Sequence, residues 1–173
     1  MGKYFEVPIE LQNSFFFSGC LIEWEHNLIT MFNPKHPFLY ELGYYSGMKG
    51  LRPWETPEDG IPLLLEEWKN KEIQLEELFS DRKTAAAIEP MKHSIALFVE
   101  MLFWTNKVPV RFPLIYIDEL TIKPVNVKER LEFIIAKPQL YHSYVQLSEL
   151  MIEQEKHFIK QQLLKAKLKN VQE

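Results

Sequence analysis

Glu89, His93 and Glu100 fall at i, i+4 and i+11 in the segment IEPMKHSIALFVEMLFWT, so a helix there carries two carboxylates and an imidazole on one face. Such groups suit a divalent metal or general acid–base work, because oxygen and nitrogen ligands polarise a bound water and carboxylates or imidazoles move its proton. Upstream, Glu23 and His26 form a Glu-x-x-His pair, the spacing with which di-iron helical bundles aim two ligands into a core. Glu153 and His157 add one further i, i+4 pair. The candidate metal set is Glu23, His26, His93 and Glu100, and it defines one reading, a metal-dependent helical enzyme. A di-iron bundle, however, uses two Glu-x-x-His motifs, and this chain holds one. Structural roles also account for the same residues. Glu89 is a favourable carboxylate at a helix N-terminus, and Glu100 either pairs with a lysine or arginine such as Arg82 or Arg111 or marks the solvent stripe. No catalytic residue and no cofactor is assigned.

Other chemistry is sparse. No G-x-x-x-x-G-K-[ST] or G-x-G-x-x-G loop exists to cradle phosphates, and no H-E-x-x-H presents a zinc site. The single Cys20 closes no internal disulfide and reads as a small hydrophobe. Aromatic residues make up 13% of the chain, with Tyr40, Tyr44, Tyr45 and Trp54 bunched beside glycines and prolines. Tyr and Trp in that setting suit a protein interface, or else fold back to roof the core. Lys156, Lys160 and Lys165, with Lys167 and Lys169, give a basic end that suits an acidic partner, weak nucleic-acid binding or plain solvation.

The elements that must hold these groups are mainly helical. Ten residues, Ile95 to Trp104, are apolar except for Glu100, and a helix greasy on nearly all sides belongs at the centre of a fold. The run is too short and too interrupted for a membrane span. Asn106, in a left-handed conformation, and Pro109 are expected to stop this helix. Before it, Ile61, Leu64, Leu65, Trp68, Leu75, Leu78 and Phe79 line one face of a helix expected from Pro62, with glutamates and lysines opposite and Glu67 to Lys71 a favourable pair. Earlier still, Leu21, Trp24, Leu28 and Phe32 have helical spacing and predict a helix from Gly19 to Phe32. A short helix is expected over 38–46, and the glycines and prolines of 43–62 read as a loop. Residues 110–122 are strand-like in composition but lack a partner, so an irregular or short helical crossing is expected. Asn126 with Glu129 imitates a capping box for a helix through Leu131 and Ile134. Pro138 closes it and starts a last helix about 45 Å long at 1.5 Å per residue. There the rows Tyr144/Met151/Phe158 and Val145/Ile152/Ile159 make a wide apolar stripe.

The central segment IEPMKHSIALFVEMLFWTNKVPV, preceded by PLLLEEWKNKEIQLEELF and the opening VPIEL, resembles the YpoC family of small proteins from Bacillus-type bacteria. The resemblance implies a cytoplasmic bacterial protein and brings no catalytic residue to carry over. From the residues themselves, one cysteine and no signal-peptide pattern in MGKYFEVPIEL also fit a reducing cytoplasm. The 173 residues predict an all-α, single-domain bundle of five to seven helices around the central hydrophobic helix, with 156–173 projecting as a basic helix end. Formal charge is −7 over residues 1–122 and +3 over 123–173, so an acidic body repels phosphate and only the tail could favour it. The expected function is a non-enzymatic protein-interaction or accessory module. Its surface would comprise Tyr40, Tyr44, Tyr45, Trp54, Lys156, Lys160 and Lys165, and self-association through the 144/151/158 seam is its simplest form.

Overall fold

The computed structural model describes residues 3–19, 21–24 and 31–172. The apolar run lies in the C-terminal half of one helix, α3 (Ile88–Thr105), where every residue from Ser94 to Thr105 is buried. Such a helix has no face to give to water, so neighbours must close on it from every side. A long amphipathic helix, α2 (Pro57–Ser80), lies along it and buries Ile61, Leu64, Trp68 and Leu75. The short α1 (Leu39–Tyr45) contributes Leu39, Tyr40 and Leu42 to the same core. The last helix, α5 (Tyr141–Gln172), packs on α3 with Tyr144, Leu147, Leu150, Met151 and Phe158 buried. Between them α4 (Val127–Ala136) lies on α5 and buries Val127, Leu131 and Ile134. The fold is all-α in character, and one continuous core runs from Val7 to Phe158.

The N-terminal segment departs from the helical reading. Leu21–Trp24 is a strand, β2, paired antiparallel with β1 (Lys3–Glu6) in the register Lys3↔Trp24, Tyr4↔Glu23, Phe5↔Ile22 and Glu6↔Leu21. The helix expected over 19–32 is therefore corrected at 21–24, and residues 25–30 lie outside the described residues. The reason is tertiary: a strand is stabilised by its cross-strand partner, which a count of helical spacings within one segment cannot register.

Helix α2 also begins earlier than its clean apolar pattern. Pro57 occupies the first turn and Glu58 and Asp59 follow it, where a missing N–H is harmless and negative charge favourable. Gly60 and Pro62 are thus helical residues and not loop breakers. Pro62 sits on the exposed side, while a Cβ on Gly60 would stand 3.3 Å from the Trp104 ring, so glycine lets α2 approach α3.

At the far end of α3 the left-handed residue is Lys107, with φ 58, and not Asn106, whose φ is −88. Asn106 instead uses its side chain. Its Nδ2 donates to Leu102 O and Ile122 O at 2.8 Å, and its Oδ1 accepts from Ile122 N at 2.9 Å. One amide thereby ties the helix end to the end of the 110–122 crossing, which carries the 3-10 helix Leu114–Glu119 and no strand. The capping box at Asn126 does not form, because Asn126 is itself left-handed, with φ 54, and its side chain makes no cap hydrogen bond.

Two substitutions test this arrangement by urea denaturation. Leu97→Ala, at a site with no exposure, is expected to cost about 2–5 kcal/mol. Asn106→Ala, which strands the Ile122 N–H while Ile122 O keeps its bond from Gln154, is expected to cost about 1–3 kcal/mol.

Candidate functional site

The polar face of α3 meets the segment leading into α1. Near the helix start, Glu89, Lys92 and His93 border a cleft of about 220 Å³ floored by Phe16, Phe17, Pro37, Phe38 and Ala96. The ring nitrogen Nε2 of His93 lies 3.2 Å from Pro34 O, and burial pushes its pKa below the ordinary value, so the ring is neutral near pH 7 and donates to that carbonyl. Glu100, two turns further along, is 2% exposed and feels the charge of Glu41 of α1. His93 and Glu100 therefore serve separate partners. His26 and Cys20, and the side chain of Glu23, lie outside the described residues. Among the described residues no group of three or more His, Cys, Asp or Glu side chains is arranged to hold a metal ion.

The cation expected for Glu100 is also not there. Among the described residues no ion pair reaches it, and the Arg111 guanidinium lies instead over the Tyr116 ring at 4.2 Å. The neighbour is a second buried carboxyl, which the sequence pattern did not single out. Glu41 is fully buried, and its Oε1 accepts from Trp104 Nε1 at 2.7 Å and from Val110 N at 3.3 Å. Burial pushes its pKa up to about 7 against the pull of these donors. Burial and the nearby Glu41 charge push Glu100 well above the ordinary carboxyl range, opposed by a backbone hydrogen bond from Phe38. Tyr45 Oη donates to Val110 O at 2.9 Å, so both backbone groups of Val110 are held by α1 side chains. A signal was present in the sequence: Glu41 sits within LYELGYY, flanked on both sides by apolar and aromatic residues.

The aromatic cluster belongs mostly to the core. Tyr40 and Trp54 are buried, Tyr45 is half-buried, and Tyr44 alone of the four is exposed. Tyr44 meets the edges of Tyr45 and Trp54 at 5.2 and 5.3 Å, under the Arg52 guanidinium. Tyr40 Oη donates to Met31 O at 2.8 Å, accepts the Asn33 N–H, and is pushed up to about 12 by burial. These contacts roof the central helix and leave Tyr44 as the exposed member of the four.

Helix α5 presents the larger surface. Its two apolar rows have different fates. Tyr144, Met151 and Phe158 are buried, with Tyr144 stacked on Phe79 at 5.6 Å, so the seam expected to pair two molecules is already used within one. The other row faces out: Ile152 is 52% exposed and Ile159 48%, and Leu163, Leu164, Leu168 and Val171 continue the exposed apolar surface toward the C-terminus. The helix is held in register by α4, whose Arg130 binds Glu153 through both guanidinium nitrogens at 2.8 and 3.1 Å and donates to Gln146 at 3.2 Å. Further along, Gln161 Nε2 donates to Thr105 O at 3.0 Å, and Lys165 Nζ lies 3.7 Å from Glu58. Lys156 and Lys160 are exposed beside the outward row. Among the described residues no helix is long and apolar enough to cross a membrane.

The YpoC-like protein family matches residues 58–166, which takes in nearly all of α2, then α3, α4 and most of α5. The uncharacterized protein YpoC of Bacillus subtilis (strain 168) is 35% identical over 116 residues, 65% of this chain and 71% of that protein. No solved structure matches.

The unequal rows of α5 predict unequal costs in urea denaturation. Phe158→Ala, in the buried row, should lose about 3–5 kcal/mol, while Ile159→Ala next to it should stay within about 0.5 kcal/mol of the parent.

Proposed function

This chain belongs to the YpoC-like family, and from that premise we propose that it acts as a cytoplasmic, non-enzymatic interaction module whose partner is a second copy of the chain, paired antiparallel along α5. The observation that carries this reading is the outward row of α5, where Ile152, Ile159 and Leu163 stand exposed at i, i+7 and i+11. Single exposed leucines are ordinary, but apolar residues repeated on one side of a helix form a continuous stripe that favours a covering surface.

Charge selects the occupant. Glu149, Glu153 and Glu155 lie before the midpoint of α5, the first two shared with Arg130 of α4, and Lys156, Lys160, Lys167 and Lys169 lie from the midpoint on, with Lys165 drawn to Glu58. Two such helices side by side in the same direction would set like charges against like. Turned end for end, each acidic half meets the partner's basic half, and the same patch serves both molecules as a two-fold contact requires. A nucleic-acid partner is less well supported, because the −7 body stands behind these lysines and Lys165 already faces Glu58. The non-enzymatic part of the reading rests on the carboxyls of Glu41 and Glu100, which are buried away from solvent, and on His93, whose ring nitrogen is engaged by a backbone carbonyl.

Sedimentation velocity over a concentration series tests it. The full chain should pass from monomer to dimer as concentration rises, with weaker association in high salt. The double variant Ile152→Glu/Ile159→Glu should fold normally and bind itself at least about tenfold more weakly, equivalent to about 1.4 kcal/mol. A parent chain that stays monomeric throughout, or a double variant that dimerises equally well, would overturn the proposal.

A further inference from the structure

We infer that Glu41 and Glu100 form a buried proton-binding site, in which one proton shared between Glu41 Oε2 and Glu100 Oε1 latches α1 onto α3. Four observations carry this. Both carboxyls are buried, one on each helix. Each leaves one oxygen, Glu41 Oε2 and Glu100 Oε1, with no hydrogen-bond partner, although buried polar atoms are rarely left so. Their other contacts are all donors to oxygen: Trp104 Nε1 and Val110 N on Glu41, and the Phe38 backbone on Glu100. Finally, no cation pairs with either carboxyl among the described residues, so two negative charges here would be uncompensated.

A single proton resolves all of this. One carboxyl stays ionised and accepts, the other keeps its proton and donates, and each orphaned oxygen becomes the other's partner. Paired carboxylates that cannot both ionise behave in this way, and the titration then belongs to the pair and not to either residue.

The surroundings favour retention of the proton near neutral pH. From α1 the site is faced by Tyr40 and Tyr45, neither of them positive. From α3 the nearby polar group is the Trp104 N–H, a neutral donor. The crossing after α3 brings the Val110 N–H and Arg111, whose charge is felt at Tyr45, and the N-terminal 3-10 turn brings Glu10, which adds negative field there.

The sign of the pH effect follows. A carboxyl raised above its ordinary 4.5 binds its proton more tightly in the folded chain than in the unfolded one. Its stabilisation is complete below that value and is lost as pH rises through about 7 for Glu41, with Glu100 raised in the same direction by its own burial and by the Glu41 charge. The latch therefore weakens toward alkaline pH.

Melting of the full chain and of Glu100→Gln is to be followed from about pH 5 to about pH 9 with chelator present. The glutamine amide donates to Glu41 at every pH, so the melting temperature of the variant relative to the parent should rise steadily across this range. A purely packing role would offset the two curves by a constant amount, and a constant offset overturns the inference. So does a melting shift that depends on added divalent metal, since a cation would then be balancing the charges. Glu41→Gln serves in the same way if Glu100→Gln fails to fold. On the parent chain alone, infrared spectra should show the carbonyl band of a protonated, buried carboxyl at about pH 6, fading as pH rises. Its absence overturns the inference whatever the variants do.

Discussion

A helix that is apolar on every side has only one stable position, surrounded, and the rest of this fold is arranged to satisfy that demand. Residues Ile95 to Trp104 of α3 hold nine apolar side chains and one glutamate, and all ten are buried. Hiding them takes α2 along one flank and α5 along another, with α1 and the crossing after α3 closing the remainder. At roughly 1.5–3 kcal/mol for each large apolar side chain removed from water, this burial outweighs the local preferences of the surrounding segments. Gly60 shows the effect at one position. A side chain there would press on the Trp104 ring, and α2 carries a poor helix former where it comes closest to the hub.

The same demand explains where the polar groups are found. Closing α1 over α3 brings Glu41 inward beside Glu100, in the least favourable surroundings for charge. The donors that meet Glu41 come from Trp104 and from Val110, so the carboxyl joins α1, α3 and the crossing at one point. Val110 is bonded a second time by Tyr45, which makes this strand-like stretch a strap across α1 and not part of a sheet. Helix α5 illustrates the opposite outcome. It is much longer than the core it covers, so its inner row is exhausted by α3 and α2, and its outer row is left for whatever binds from outside.

Much of this was legible beforehand, and the reasons differ by element. Helix α3 and the apolar face of α2 were readable because their patterns are local and long, so one periodicity dominates. Trp68, Leu75, Leu131 and Ile134 lie inside as their spacing requires. The short elements were less legible. Leu21–Trp24 has helical spacing with its downstream neighbours but takes its conformation from Lys3–Glu6. Asn126 and Asn106 both suggest cap roles by residue type, yet each is used differently, Asn106 as a bridge to Ile122. Of the candidate residues, Glu100 was recognised as a buried charge in need of a partner, but the expected partner was a cation. Glu41 lies in a segment too short to carry a period, so only its apolar and aromatic neighbours mark it.

The sequence by itself determined that the chain is helical, that the run ending at Trp104 lies at its centre, and that α5 carries two apolar rows. These follow from side-chain identity at fixed spacing, which a helix turns directly into faces. Only the tertiary structure decided which of the two rows is covered, that β1 and β2 pair, and that two carboxyls 59 positions apart in the chain are buried within reach of each other's charge, with no cation paired to either among the described residues. Those outcomes depend on contacts between segments remote in sequence, and such contacts exist only once the greasy helix has drawn its neighbours around it.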